Sequence, residues 1–305
     1  SDSHFLDNTN PQDFIWDLRE LYLSWNFSLG ELRIGKQIYS WGSVDGNSPV
    51  DNFNAYDYYY LFSSGADQKI GSFATMGEFY FDSWKLGFSL SPIHQTNRLP
   101  INDPEFPIGL PVSPRSSQII TLKDNVIETG GFITKSFDNA DITFSYFNGY
   151  DRIFNLAGIN LFSGSNSNDT YIDTVFSYRK TESVGMGGVF FIGDMTIRGE
   201  YAIFNSMDNT TNIEIMYDNP ILQEIYNVIG DSITTIEYSH AFQTKAEYYQ
   251  YALQFEYEFP WNIQIAGQLF RYDTLSLVME SAPDPGDLPL FEDTDGEFIP
   301  EEYFF

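Results

Sequence analysis

Tyr248-Tyr249-Gln250-Tyr251-Ala252-Leu253-Gln254-Phe255-Glu256-Tyr257-Glu258-Phe259-Pro260-Trp261-Asn262-Ile263-Gln264-Ile265-Ala266-Gly267-Gln268-Leu269 is large and apolar at nearly every odd position and mostly polar at even ones. Period-2 alternation broken by a proline turn describes a β-hairpin with two unlike faces. Gln250, Gln254, Glu256, Glu258, Asn262, Gln264 and Gln268 share the polar face. A barrel that is apolar toward lipid and wet in its lumen accounts for both faces at once.

Similar pairs recur along the chain. The short connections Ser28-Leu29-Gly30, Asp82-Ser83, Asp138-Asn139-Ala140, Gly193-Asp194 and Pro260 join period-2 segments. Long connections, roughly 40–68, 93–126, 150–172, 206–244 and 272–305, separate one pair from the next and hold most of the Pro, Asn, Asp and Ser. Alternating short and long connections are the mark of an outer-membrane barrel, with short periplasmic turns and long extracellular loops. The faces agree. Trp84, Leu86, Phe88 and Leu90 alternate with Lys85, Gly87, Ser89 and Ser91, and Met195, Ile197, Gly199, Tyr201 and Ile203 alternate with Thr196, Arg198 and Glu200. In 184–192 the inward set Gly185, Gly187, Val189 and Phe191 is small or apolar, as for a wall packed by an inward-folded loop. Residues 127–137 alternate poorly and form the weakest strand of the set. Trp25, Trp84 and Trp261 lie on the apolar face beside short turns, where an interface girdle belongs.

Composition bounds the alternatives. Of 305 residues, 21 are Tyr and 28 Phe, an aromatic share of 18% that favours strands. No apolar run approaches the ~20 residues of a helical span, which leaves a barrel open because its strands need only ~9–11 residues each. The absence of Cys removes disulfides and thiolate chemistry. A net charge of −28 argues against nucleic acid as a partner and suits either solvated loops or the attraction of cations. Ser1-Asp2-Ser3-His4 lacks the basic and apolar regions of a signal peptide, which fits a mature, a trimmed or a cytosolic chain.

The reading is an all-β chain, an antiparallel transmembrane β-barrel with about ten strands visible, treated as one domain over 1–305. With short turns periplasmic, the first and last strands would both begin or end outside. The expectation is therefore a part of a larger barrel, incomplete at both ends.

Between residues 19 and 57 the motifs Arg19-Glu20-Leu21-Tyr22-Leu23, Leu32-Arg33-Ile34-Gly35-Lys36-Gln37, Trp41-Gly42-Ser43-Val44-Asp45-Gly46 and Pro49-Val50-Asp51-Asn52-Phe53-Asn54-Ala55-Tyr56-Asp57 follow in order. This arrangement resembles the porin-like outer-membrane family known as domain of unknown function 1302, and Gly-[Arg/Lys]-Gln strands also occur in alginate-export and other substrate-specific porins. Tyr146-Phe147-Asn148-Gly149-Tyr150-Asp151 is similar to another segment of that family, while Ala55 stands where its members usually have Pro. The resemblance implies a barrel of the bacterial outer membrane, in some members associated with export of hydrophobic compounds.

A loop rich in Gly, Asp, Asn and Pro after a strand can fold back into the lumen. There Asp45, Asp51, Asn54 and Asp57 would meet inward Arg19 or Arg33, with Glu20, Gln37, Arg198, Glu200 and Glu256 completing the lining. Three roles fit: a selectivity constriction, a structural plug held by Asn and Asp turn bonds, or a Ca²⁺ site built from Asp45, Asp51 and Asp57. No other cofactor is indicated. Among catalytic patterns there is no phosphate-binding Gly loop, no His-Glu-x-x-His and no Gly-x-Ser-x-Gly, so the chain is read as a non-enzyme. His4, His94 and His240 fall in outer segments as surface histidines, Glu256 and Glu258 as screened pore lining. Residues 219–229 have helical spacing, and the acidic, Pro-rich run 284–302 reads as a solvated loop with a few apolar residues for docking.

The expected function is passage of small or hydrophobic solutes through an outer-membrane channel, with an envelope exporter as one partner and outer-membrane lipids as the solvent. The alternative is a non-conducting scaffold whose acidic loops bind surface proteins or lipoproteins. A soluble glycan-binding β protein would instead bury Trp25, Trp84 and Trp261 together.

Overall fold

The computed structural model describes residues 18–60, 68–100, 114, 118–122, 126–163, 170–211, 213, 235–261 and 263–279. The helical spacing in 219–229 and the acidic run 284–302 lie outside them. The strands are β1 (Leu21–Phe27), β2 (Gly30–Gln37), β3 (Ala55–Tyr56), β4 (Lys69–Ile70), β5 (Ser72–Phe81), β6 (Trp84–Ser91), β7 (Glu128–Ser136) and β8 (Ala140–Tyr150). There follow β9 (Asn155–Ser163), β10 (Thr170–Ser177), β11 (Lys180–Ile192), β12 (Met195–Met207), β13 (Thr235–Ala241), β14 (Thr244–Phe259) and β15 (Ile263–Met279).

Ten of these form one antiparallel meander in the order β1-β2-β5-β6-β7-β8-β11-β12-β14-β15. Every predicted short connection is a hairpin turn at one end of it, and the long connections after β2, β6, β8 and β12 leave from the other; β15 runs on to Met279, past the predicted boundary at 272, and 280–305 lie outside the described residues. The segment 127–137 is strand β7, paired with both β6 and β8 despite its weak alternation. Among the described residues no ladder joins β1 to β15, so these strands are the sheet's two edges.

Exposure along the strands is the reverse of a soluble sheet's. On β6, Trp84, Leu86, Phe88 and Leu90 are exposed while Gly87, Ser89 and Ser91 are buried. On β12, Tyr201 and Ile203 are exposed while Glu200, Ala202, Phe204 and Ser206 are buried. Trp25, Trp84 and Trp261 are 67%, 43% and 87% exposed at the short-turn rim, which removes the soluble protein with a shared Trp core. Lys135, paired with Trp84, holds its ammonium 4.8 Å from that ring's centroid, its stem lying along apolar surface.

The apolar outer face ends at a line. Thr129, Asn148, Glu182, Asn205 and Glu247 are register neighbours on β7, β8, β11, β12 and β14, and all stand on the outer face. Asn148 Nδ2 donates to Glu182 Oε1 at 2.7 Å. Between this polar row and the turns, outward positions from Val184 to Ile192 are apolar or Gly, about 26 Å of strand at ~3.3 Å per residue. At the ~35–45° tilt of outer-membrane barrel strands this length spans about 18–21 Å of an outward band that is ~25 Å tall. This all-β meander, greasy outside and lined by small and polar residues inside, has the fold of an antiparallel transmembrane β-barrel.

Three of the long connections carry strands of their own, contrary to the expectation of loops; the β2–β5 connection holds the short pair β3–β4. The β8–β11 connection holds β9 and β10, the β12–β14 connection holds β13, and the three form a second sheet in the order β10-β9-β13. Ala157, Ile159, Asn160 and Leu161 of β9 are all buried, so both faces of this strand are covered and its sequence does not alternate.

Candidate functional site

The β2–β5 connection turns inward. Residues 38–60 lie on the concave face of the sheet, and the main core of the protein forms between this segment and the wall. Tyr39, Trp41, Val50 and Phe53 from the segment pack on Ala74, Met76, Phe132, Phe147, Ala202 and Phe204 from inward positions of the strands. Small wall residues make the seats. A Cβ on Gly130 would stand 2.6 Å from the Trp41 ring, and one on Gly185 2.6 Å from Val50 Cγ1. Of the apolar and small inward set predicted for 184–192, Gly185 faces the inward segment, while Phe191 is 50% exposed near the turn. Burying an aromatic side chain of the segment stabilises by roughly 1.5–3 kcal/mol.

Polar bonds fix the segment strand by strand. Tyr39 Oη donates to Glu78 Oε1 of β5 at 2.9 Å, and Trp41 Nε1 donates to Val50 O at 2.6 Å within the segment. Glu200 of β12 accepts from Ser43 N, from Ser43 Oγ at 2.8 Å, from Val44 N at 3.1 Å and from Ser48 Oγ at 2.5 Å. At the tip, Asp45 N donates to Gln254 Oε1 and Gln254 Nε2 to Asp45 Oδ2, both at 2.8 Å, while Gln268 Nε2 of β15 donates to the Asp45 carbonyl at 2.9 Å. Asn54 accepts from Tyr39 N and donates toward Gln37 O and Ile70 O, pinning the segment's two ends together.

The residues singled out from sequence therefore separate into groups. Gln37 and Glu200 are buried against the inward segment, and Asn54 is buried within it, instead of facing open lumen. Asp57 pairs with Arg98 at 2.8 Å and lies 3.7 Å from Arg19, and burial pushes its carboxyl upward despite both guanidinium groups. Asp51 pairs with Lys69, and Glu20 accepts from Ile38 N. Arg33 meets Glu31 of its own strand at 2.7 Å, not the inward segment as expected, because the two share the inner face two residues apart. Asp45 reaches Arg198 at 3.4 Å, and Arg198 also pairs with Glu256. With Asp45 78% exposed, this group and the Lys85–Glu78 pair remain open to solvent on the turn side of the segment. Asp45, Asp51 and Asp57 each have a separate cationic partner and do not converge, and among the described residues no group of three or more His, Asp or Glu could hold a metal ion.

One cluster was missed. Arg152 donates to both oxygens of Glu128 at 2.9 and 2.8 Å and to the carbonyls of Phe53 at 2.6 Å and Asn52 at 3.3 Å, joining wall, inward segment and outer layer. His94 Nδ1 lies 2.9 Å from the same carboxylate, and its side chain is 2% exposed. His94 is thus no surface histidine: just after β6 its imidazole is buried and packs on Tyr150 and Tyr178. The available signal was scarcity. With 15 Lys and Arg against 43 Asp and Glu, a basic residue in an outer connection has an acidic partner to find.

Burial holds the His94 imidazole below its ordinary value of 6.5; Glu128 opposes this and Arg152 adds to it. As pH falls below 6.5 the unfolded chain binds a proton that the folded chain resists. The stability tied to this group is therefore present above that value and is lost as pH falls toward the lowered one. His94→Gln is expected to flatten the decline in thermal stability between about pH 7 and about pH 5. An unchanged slope in melts across that range would contradict the assignment.

A cavity of about 560 Å³ lies on the long-connection side of the inward segment, between it and the upper parts of β8, β11, β12, β14 and β15.

No family model and no curated protein matches the chain, so the resemblance carried by residues 19–57 rests on those motifs alone. Among solved structures the chain is similar to a porin refined at 1.8 Å resolution, with 11% identity, a TM-score of 0.41 and coverage of 84% of this chain. It spans 65% of that porin's length.

Proposed function

We propose that the chain forms the wall of an outer-membrane channel in which the inward 38–60 segment sets the constriction and small solutes pass the Asp45, Arg198 and Glu256 group. The observation that carries this reading is the inverted sheet: an apolar outer band bounded by Trp84 and Lys135 at one rim and by the Asn148 to Glu247 row at the other, around a lumen whose open part is charged. Arg19, Arg33 and Glu20 would line the path beside the segment. Purified in detergent, the protein is expected to migrate faster unboiled than boiled on SDS gels and to add discrete conductance steps to planar bilayers. A monodisperse protein that stays soluble without detergent would dismiss it.

Depth dependence gives a finer check. Met186→Arg, in mid-band, is expected to destabilise the bilayer-folded protein by roughly 2–4 kcal/mol, and Asn205→Arg, in the polar row, by about 0–1 kcal/mol. Equal effects in urea titrations from liposomes would remove lipid from the outer face.

The tight packing of Trp41 and Phe53 against the wall favours a second reading, a barrel that stays shut and serves as a scaffold for an exporter or a surface lipoprotein. Folded protein that leaves bilayer conductance unchanged would select it.

A further inference from the structure

We infer that the cavity above the inward segment is a binding site for a neutral polyhydroxylated ligand, a short saccharide. Its volume of about 560 Å³ falls within the ~300–1,000 Å³ of small-molecule sites. Of the four charged residues that line it, three are matched by an opposite charge within the protein. Asp51 is paired with Lys69, Asp57 with Arg98, and Arg152 with Glu128, while Asp151 accepts from Thr181 Oγ1 and from Asn155 Nδ2. An ionic ligand would find no uncompensated counter-charge in these pairs, and would be charged against by one member of each.

What the lining offers instead is carboxamides and rings. Asn47 and Gln250 carry both donor and acceptor capacity, the combination that reads vicinal hydroxyls, and Asn97, whose Oδ1 accepts from Tyr56 N at 2.7 Å, adds its amide donor. On the wall side, Phe204 and Tyr248 stack with centroids 4.7 Å apart and planes within 6°, Tyr272 follows at 5.2 Å from Tyr248, and Phe270 lines the cavity beside them. Phe204 is buried in the core with one face covered by Tyr248, which leaves Tyr248 and Phe270 as the rings that can meet the C–H faces of a sugar, apolar while its edges are polar. One further atom points to a ligand. Asp51 is 6% exposed and lines the cavity; its Oδ2 is taken by Lys69, whereas its Oδ1 has no hydrogen-bond partner. A buried acceptor left in that state costs roughly 1–3 kcal/mol; this oxygen has almost no accessible surface, so a donated hydroxyl recovers that cost only when the Asp51 side chain turns toward the cavity.

The inference rests on the channel reading only for the route of access, because binding at this cavity does not require an open lumen. The test is calorimetric titration of the full chain in detergent micelles with maltotriose, cellotriose and raffinose, and in parallel with spermidine and citrate. Saturable binding of at least one trisaccharide is expected, weakened about tenfold by Asp51→Asn and by Phe270→Ala, the loss of one good contact. Phe270 is 41% exposed on the edge strand, so its replacement leaves the fold intact where Asp51→Asn disturbs the Lys69 pair. No saturable heat with any trisaccharide, binding confined to spermidine or citrate, or trisaccharide binding unmoved by Phe270→Ala would each overturn the inference. Conductance measured on the same preparation fails or succeeds separately.

Discussion

Glu200→Ala is expected to release the tip of the inward segment from the wall while leaving the barrel standing. The carboxylate is 4% exposed and accepts from two backbone N–H groups and two hydroxyls between Ser43 and Ser48. Hydrogen bonds to a charged group contribute ~1.5–3 kcal/mol net, so losing this shared acceptor costs the docked segment at least about 3 kcal/mol. That corresponds to roughly a hundredfold rise in its undocked population. Amide exchange at Ser43 and Val44 should accelerate by a similar factor, and in bilayers the conductance per step should grow as Asp45 leaves Gln254. Protection within β12 should hold, because its ladders to β11 and β14 do not involve the side chain. Glu200→Gln keeps the volume but turns an amide donor toward other donors, and should fall between. Unchanged exchange at Ser43 and Val44 in the alanine variant would show that apolar packing of Trp41 and Val50 suffices to hold the tip.

How much of this could be read in advance depended on where each residue finds its partner. The 248–269 hairpin is legible because a strand with lipid on one side and lumen on the other must alternate, and its short turn fixes the register. β7 was faint because Gly130 yields its place to the Trp41 ring and Phe132 faces the interior as part of the core. β9 was illegible as a strand because both its faces are covered. The inward fold of the 40–58 region was legible in its Asp, Asn and Gly content, since such residues make turns from their own neighbours. Their pairings were not, because Asp45 and Arg198 are 153 positions apart and Arg33 had a nearer acid on its own strand. Arg152 carried no local pattern, and its role exists only once β7, the inward segment and the outer layer have met.

Arg152→Met should be the most damaging single change in the outer layer. It removes both guanidinium bonds from Glu128, whose side chain is fully buried, and frees the carbonyls of Asn52 and Phe53. Breaking one side of a buried ion pair costs about 3–5 kcal/mol, chiefly because the other charge stays behind. Glu128→Gln in the same chain is then expected to restore a large part of the loss, since an uncharged amide no longer requires a cation. His94 supplies a second signature. In the parent, Arg152 helps to hold that imidazole low; without it the nearest charge is the Glu128 carboxylate at 2.9 Å, which favours the protonated ring. Burial, the largest cause, still holds the ring low, but its pKa rises relative to the parent's, so the variant gives up less stability than the parent as pH falls below 6.5. The deficit of Arg152→Met relative to the parent should accordingly shrink at about pH 5.5 and be largest near pH 8, opposite in sense to the parent's own acid decline. Thermal melts of the two single variants and the double variant at both pH values measure this directly. A deficit equal at the two pH values, with no rescue by Glu128→Gln, would mean that Arg152 acts through the Asn52 and Phe53 carbonyls alone.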